Sequence, residues 1–231
     1  MSWSIIMHKY ETHLHTSPVS KCAHATVREQ LEYYKSLGFS GVFITNHFIG
    51  GNTSANDFSS YNEQIEYYFS DYEDALKLGK EIGLTVFCGI ELGYKGTDFL
   101  VYGLDKKWYL ENPQIMDMTM KEKLFFMMAA GALIIQAHPY REASYIDHIR
   151  LFPRSVHGAE VFNACRKDSE NKMAKIYAEN YNLLPFAGSD NHEGASQKIL
   201  GGMEFDTPLL SEQDFVSRIL DEDGRPFTLY L

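Results

Sequence analysis

The sequence predicts an α/β barrel held in one domain over residues 1–231. Three observations carry that expectation. β-branched and aromatic runs alternate with helical periodicity across short loops, the pattern of parallel βα units. A chain of 231 residues suits one such barrel. Ligand-type residues stand where the apolar runs end, the side on which barrels gather their chemistry. With 45% hydrophobic residues, 15 Phe and 15 Tyr, the chain has the means for a sizeable core and thick aromatic packing.

Taken in order, Ser4 to His15 is the first expected strand, and a polar loop follows over Thr16 to Ala25. Thr26 with Glu29 three residues on reads as a capping box for a helix over Val27 to Leu37, closed by Gly38. Ser40 to Phe48 is the second strand, and Ile49 to Asn56, with its Gly50-Gly51-Asn52, a mobile loop beside the suspected site. Phe58 to Gly83 is helical with a break. Leu84 to Tyr94 and Thr97 to Leu104 are strands joined at Lys95-Gly96, either an antiparallel excursion or two barrel strands. Helical pieces follow at Lys106 to Asn112 and Met120 to Ala130, then a strand over Ala132 to His138 stopped by Pro139. A short helix is expected over Tyr145 to Leu151, a strand over Gly158 to Ala164, a helix over Ser169 to Asn182 and a strand over Leu184 to Asp190. Ile199 to Phe205, a helix from its Ser211 cap to Leu220, and a strand over Phe227 to Leu231 complete the chain. No internal repeat, low-complexity tract or linker interrupts it.

The formal net charge of −10 argues against a general nucleic-acid or anionic-membrane surface. An anionic substrate stays compatible, since bound divalent cations invert the local field. Cys22, Cys88 and Cys165 are odd in number and scattered, and read as reduced thiols. Met1 to Ser4 shows no basic stretch leading into a long apolar core, and no apolar run approaches the roughly 20 residues of a membrane helix. The expectation is a cytoplasmic protein whose oligomeric state the sequence does not set.

The chemistry centres on His13-Leu14-His15. Residues two apart on a strand share a face, so these imidazoles form a ready chelate for Zn, Mn or Fe. Alone, such a pair is as often structural. Its weight comes from four later strand ends that repeat the pattern: Asn46-His47, Glu91, Ala137-His138-Pro139 and Asp190-Asn191-His192. Glu91 lies within VFCGIELGY, where an unpaired carboxylate is costly and needs a metal or a salt bridge. His47 as a capping residue, His138 as a structural one, and Asp190 with His192 as a chance loop pair are the bland readings of each. Five coincidences of this kind together are improbable. Gly188 admits close backbone approach to a ligand.

In this order and spacing HLHT (13–16), ITNH (44–47), GIEL (89–92), AHPYRE (137–142) and GSDNH (188–192) resemble the PHP family, named for polymerase and histidinol phosphatase. The resemblance spans residues 8 to 200. It implies a distorted (β/α)7, TIM-like barrel that holds two or three divalent metals (Zn, Mn or Fe) and hydrolyses a phosphoester through a metal-bound hydroxide. By motif, His13, His15, Glu91 and Asp190 resemble the ligands of one metal. Glu91 would bridge to a second, also held by His138, and His47 with His192 resemble ligands of a third. The chain departs from the family pattern in three places. Asn46 replaces an Asp, removing a carboxylate behind the ligands; Asp98 stands where a His is common; and the loop ligand after the HxH falls among Ser20, Cys22 and His24. Of these His24 suits Mn or Fe, and Cys22 zinc.

The implied substrate is a small phosphomonoester such as histidinol phosphate. Arg141 would grip a phosphoryl oxygen, with Arg166 a weaker candidate, and Asp190 or His192 would protonate the leaving group. The walls of the substrate pocket are expected from Ile49 to Ser60 and Tyr140 to His157. A metal-dependent amidohydrolase is the competing enzyme class, disfavoured because Glu91 occupies the mid-chain ligand position and Lys95 falls beyond it. A metal-binding PHP module without turnover is the non-enzyme alternative, favoured by Asn46 and Asp98. A 3′ exonuclease is the poorer fit to so acidic a chain.

Overall fold

The computed structural model describes residues 7–231; residues 4–6 of the expected first strand, and the segment read for a leader, lie outside them. Within that span seven strands make the barrel wall: β1 (His8–Leu14), β2 (Gly41–Ile44), β3 (Thr85–Tyr94), β4 (Thr97–Tyr102), β5 (Leu133–Ala137), β6 (Gly158–Asn163) and β7 (Leu184–Gly188). β8 (Ile199–Phe205) and β9 (Arg225–Tyr230) form an antiparallel hairpin, and β8 runs antiparallel to the start of β1. The sheet order is β7-β6-β5-β4-β3-β2-β1-β8-β9. The wall nearly closes at the mouth, where Leu14 and Asn191 make a parallel bridge and His15 N donates to Asn191 O at 3.1 Å. The result is a distorted TIM-like barrel.

One strand breaks the parallel rule. β4 pairs antiparallel with both β3 and β5, so the Lys95-Gly96 turn is a hairpin and also part of the wall. Both turn residues take positive φ (50° and 81°), the twist that two-residue hairpins need.

The helices are α1 (Val27–Ser36), α2 (Tyr61–Tyr68), α3 (Ser70–Ile82), α4 (Lys106–Glu111), α5 (Met120–Ala129), α6 (Asp168–Tyr181) and α7 (Glu212–Leu220). Thr26 and Glu29 form the capping box of α1, and the expected break in the long helical stretch falls at Phe69, 1% exposed between α2 and α3. The loop expected to be mobile is tied down: Thr53 is buried, donates its hydroxyl to Val19 O at 3.0 Å and bridges Ser20.

The short helix expected over 145–151 is absent; residues 139–157 cross from β5 to β6 without regular structure. Seven residues make a marginal helix on their own. Here a tertiary partner takes backbone groups instead: Gln136 Nε2 donates to Arg150 O (2.8 Å) and Phe152 N donates to Gln136 Oε1 (3.0 Å), while the Arg150 side chain anchors the segment by donating to Lys95 O (2.8 Å).

The barrel interior is aromatic at its base. Phe43, Phe87, Tyr102 and Phe186 point inward, and Phe215 of α7 closes the bottom, 4.3 Å centroid to centroid from Phe43 and 5.2 Å from Tyr102. Their outward neighbours, such as Val42, Ile44 and Val86, pack against α1 and α3.

Candidate metal centre

Above that plug the same inward faces turn polar. His13 lies on β1 and His15 just past it, with ring centroids 5.2 Å apart, while Leu14 between them faces the helical layer. His47 follows β2 and bridges Glu91 of β3. On β5 Leu133, Ile135 and Ala137 face the interior, so alternation would send His138 outward. A positive φ of 26° overrides that and turns His138 into the mouth. Asp190, four residues on from the inward Phe186, also takes a positive φ, 54°, where it enters the mouth past β7. Strain of about 1–3 kcal/mol per residue is common where a site fixes a side chain.

All seven expected residues converge. Glu91 Oε1 lies 3.2 Å from His13 Nε2 and 3.1 Å from His138 Nε2, and its Oε2 lies 2.6 Å from His47 Nδ1 and 3.3 Å from His15 Nε2. Asp190 Oδ1 is 3.5 Å from His13 Nε2 and 3.4 Å from His15 Nε2. His192 stacks on His15 at 4.1 Å, and its Nδ1 donates to Asp190 O at 2.8 Å, leaving Nε2 free for the cluster. Three overlapping groups result, His13/Glu91/His138, His13/His15/Asp190 and His15/His47/His192, each with its ligand atoms within 4.8 Å of one another.

The donor set fits divalent cations. The Nδ1 of His13 meets Glu160 at 2.9 Å and that of His15 meets Ser20 at 3.0 Å, which fixes both rings. Their Nε2 atoms are fully buried without a hydrogen-bond partner and point at carboxylate oxygens. A cation is the group that such an array satisfies. Buried His/Glu/Asp clusters of this make suit metal binding.

Proton affinities diverge sharply within the cluster. Burial opposes ionisation of Glu91, yet His47 and His13 outweigh it and hold the carboxyl well below the usual range. Asp190 behaves alike through His13 and His15. Burial disfavours a charged His13, but Glu160, Asp190 and Glu91 raise it well above the ordinary value; burial together with His192 and His47 drives His15 well below it. Asp98 is pushed up by burial and by Glu91. Opposed shifts in one cleft mark a functional site.

Sequence reasoning missed two carboxylates behind the ligands. Glu160, fully buried on β6, holds His13 Nδ1, accepts from His138 N (2.9 Å) and is fixed by Asn163 Nδ2 (3.0 Å). Its signal was available, since an acid inside GAEVFN is as anomalous as Glu91 inside its own apolar strand. Asp71 of α3 had no local signal. It accepts from Thr16 Oγ1 (2.7 Å) and Asn46 Nδ2 (3.3 Å), and Asn46 Oδ1 accepts from Ser20 Oγ (2.8 Å), the atom that holds His15. The carboxylate expected to be lost with Asn46 therefore stands one link further back. Gly188 serves close packing, as expected, but against protein: a Cβ there would collide with His13 and Glu160.

The three loop candidates separate. Ser20 orients His15, His24 points out to pair with Glu193 at 2.7 Å, and Cys22 faces His47 and His192. Burial raises the Cys22 thiol, but those histidines bring it down to about 6; burial and Asp190 push Cys165 up to about 12. A cavity of about 520 Å³ opens over the cluster, walled by Tyr94, Lys95, Arg141, Tyr145 and Arg166. Its walls include Gly50 to Asn52, Arg141 and Tyr145 from the two expected segments, joined by the β3–β4 hairpin and Arg166. Arg141 Nη1 donates to Asp98 Oδ2 at 3.2 Å and Nη2 donates to Tyr145 Oη, while its Nε, like that of Arg166, is buried without a partner. Asp98 Oδ2 stands 3.8 Å from His138 Nε2, at the edge of the cluster.

No family model matches the sequence, and no curated protein sequence matches it. Solved structures do match. A two-domain protein from Bacteroides vulgatus, described as containing a predicted PHP-like metal-dependent phosphoesterase, superposes with a TM-score of 0.73 at 14% identity over 96% of this chain. The chain has the PHP fold. It spans 65% of that Bacteroides protein. The chain also superposes on an amidohydrolase from Chromobacterium violaceum with bound sulfate and no metal (TM-score 0.57, 13% identity, 94% of this chain and 97% of that one). A lesion-specific endonuclease from Pyrococcus furiosus also matches (TM-score 0.59, 14% identity, 96% and 58%). These names differ, so the PHP fold alone does not choose the reaction. Among the described residues no helix is long and apolar enough to cross a membrane.

Proposed function

We propose that the chain is a metal-dependent phosphoesterase acting on a small phosphomonoester, with Zn, Mn or Fe in two or three adjoining positions. The observation that carries this reading is the convergence of His13, His15, Glu91, His138 and Asp190 at one barrel mouth beneath a cavity edged with cations. His13, His15, Glu91 and Asp190 would hold one metal, Glu91 and His138 a second, and His47 with His192 a third. Bound there, the metals supply Lewis acidity and a lowered pKa for bound water.

The chain's own groups do the rest. Arg141 and Arg166 line the cavity, and each has an Nε–H without a partner in the protein; their guanidinium groups would grip the phosphoryl oxygens. Asp98 holds the Arg141 guanidinium in place. Glu160 and Ser20 fix the His13 and His15 tautomers so that Nε2 faces the metals. His13 and His15 hold Asp190 ionised, so the proton for the leaving oxygen falls to His192, the other candidate. The cluster carboxylates are engaged with histidines and Arg141, while Lys95 and the arginines edge the cavity, so the site favours an anionic substrate over the ammonium of histidinol phosphate.

The test is metal analysis of the purified protein together with turnover of a phosphomonoester panel and matched amides. The expected outcome is two or three metals per chain with phosphoester hydrolysis. Amide turnover alone would support the amidohydrolase reading, which the Chromobacterium neighbour's name raises, and bound metal without turnover the module without activity.

A further inference from the structure

We propose that Lys95 is a specificity residue that binds a carboxylate carried by the substrate away from its phosphoryl group, so that the substrate class is a phosphorylated hydroxy acid. This rests on the phosphoesterase reading above and narrows its substrate. Three cations edge the mouth cavity, and they differ in what they face. Arg141 is held by Asp98 at 3.2 Å, whereas Lys95 forms no ion pair among the described residues. Lys95 stands one residue past the end of β3 and four beyond Glu91, about 13 Å of extended chain from the carboxylate at the centre of the cluster. Its Nζ stays by the hairpin, 5.6 Å from the centre of the Tyr94 ring. The ammonium therefore serves the outer part of the cavity, beyond the phosphoryl group that the arginines take. At about 520 Å³ the cavity has room there for the remainder of a small substrate.

The hairpin tip is held in place, although a lysine suits it poorly. Lys95 takes a φ of 50° at a turn position where Asn, Asp or Gly strains the backbone least, and strained residues gather at ligand clamps. Its carbonyl accepts from Arg150 Nη1 at 2.8 Å, and Arg150 is itself fixed by Asp147 at 2.7 Å. Gly96 lies so close to the crossing segment that a Cβ there would sit 2.7 Å from Ile146 Cγ1. These two anchors fix the backbone from which the Lys95 side chain reaches the cavity. The charge count then selects the anion. One ammonium, a point charge, matches a monoanionic carboxylate, whereas a second phosphoryl dianion calls for paired cations or a guanidinium fork.

The experiment compares kcat/KM of the metal-loaded protein for 3-phosphoglycerate and glycerol 3-phosphate, twins that differ by a carboxylate against a hydroxymethyl group. Fructose 1,6-bisphosphate and fructose 6-phosphate form a second pair. Wild type is expected to favour the acid over its twin roughly tenfold, through KM and not kcat. In Lys95→Asn, which suits the positive φ of the turn, that ratio should fall to near one; in Lys95→Arg it should persist. Equal values for the acid and its twin in wild type, a ratio kept by Lys95→Asn, or an advantage confined to the bisphosphate would overturn the carboxylate role and leave the phosphoesterase reading standing. If none of the four compounds is hydrolysed, that reading falls, and calorimetric titration of the same metal-loaded proteins with the acid and its twin decides the role of Lys95. Tighter binding of the acid by wild type but not by Lys95→Asn upholds it, and equal binding of the two compounds by wild type overturns it.

Discussion

The base and the mouth of the barrel are built by the same strands on the same faces, yet they obey opposite rules. Four residues separate Phe43 from His47, Phe87 from Glu91, and Phe186 from Asp190, and on the reversed β4 Tyr102 follows Asp98 by the same step. At about 3.3 Å per residue, four steps carry one face about 13 Å, from an oily plug to a buried ionic cluster. Burial is nearly complete at both ends; Phe215 and His13 are each 0% exposed. What differs is the use made of it. The base spends burial on apolar contact, which stabilises the fold, whereas the mouth buries charges against each other, and such arrangements rarely stabilise it.

Substitutions at the two ends should therefore fail in different ways. His13→Ala or Asp190→Ala is expected to abolish phosphomonoester turnover while leaving the melting midpoint near wild type, measured by a coupled phosphate assay and thermal denaturation; full activity in either would contradict the assignment. Phe215→Ala should do the reverse. Its loss costs about 3–5 kcal/mol of stability, read by urea denaturation, with turnover per folded molecule preserved. Between these, Glu160→Gln should weaken metal binding about 10–100-fold with little change in stability, since it removes the charge behind His13 and keeps the shape; competition with a metallochromic chelator reports it. Thr26→Ala, which opens the α1 capping box far from either end, should cost only about 1 kcal/mol.

A subtler contrast lies in pH dependence near the base. His157, at the start of β6, accepts the Ile134 N–H on Nδ1 at 3.0 Å, which only the neutral ring can do. Burial holds its pKa below the ordinary value. The unfolded chain then takes up the extra proton first, so stability present above about pH 6.5 is lost as pH falls toward the lower folded value. His157→Gln is expected to flatten that loss between about pH 7.5 and 5.5, measured as the change in urea midpoint. An unchanged slope would assign the acid sensitivity elsewhere.

What the sequence by itself determined follows from short-range geometry. Period-two alternation put His13 with His15, the cap signals at Thr26 and Ser211 marked helix starts, and an acid in an apolar strand flagged Glu91. Each depends on neighbours within a few residues, which is why it is legible in one dimension. Tertiary structure alone decided the rest. Whether β4 left the wall or joined it rested on two flanking strands, and residues 145–151 lost their helix to Gln136, a residue of another element. Asp71 reached the histidines through Asn46 and Ser20, and Cys22 rather than His24 turned inward. Those outcomes depend on which groups become neighbours once the wall curls round, and strand periodicity carries no record of that.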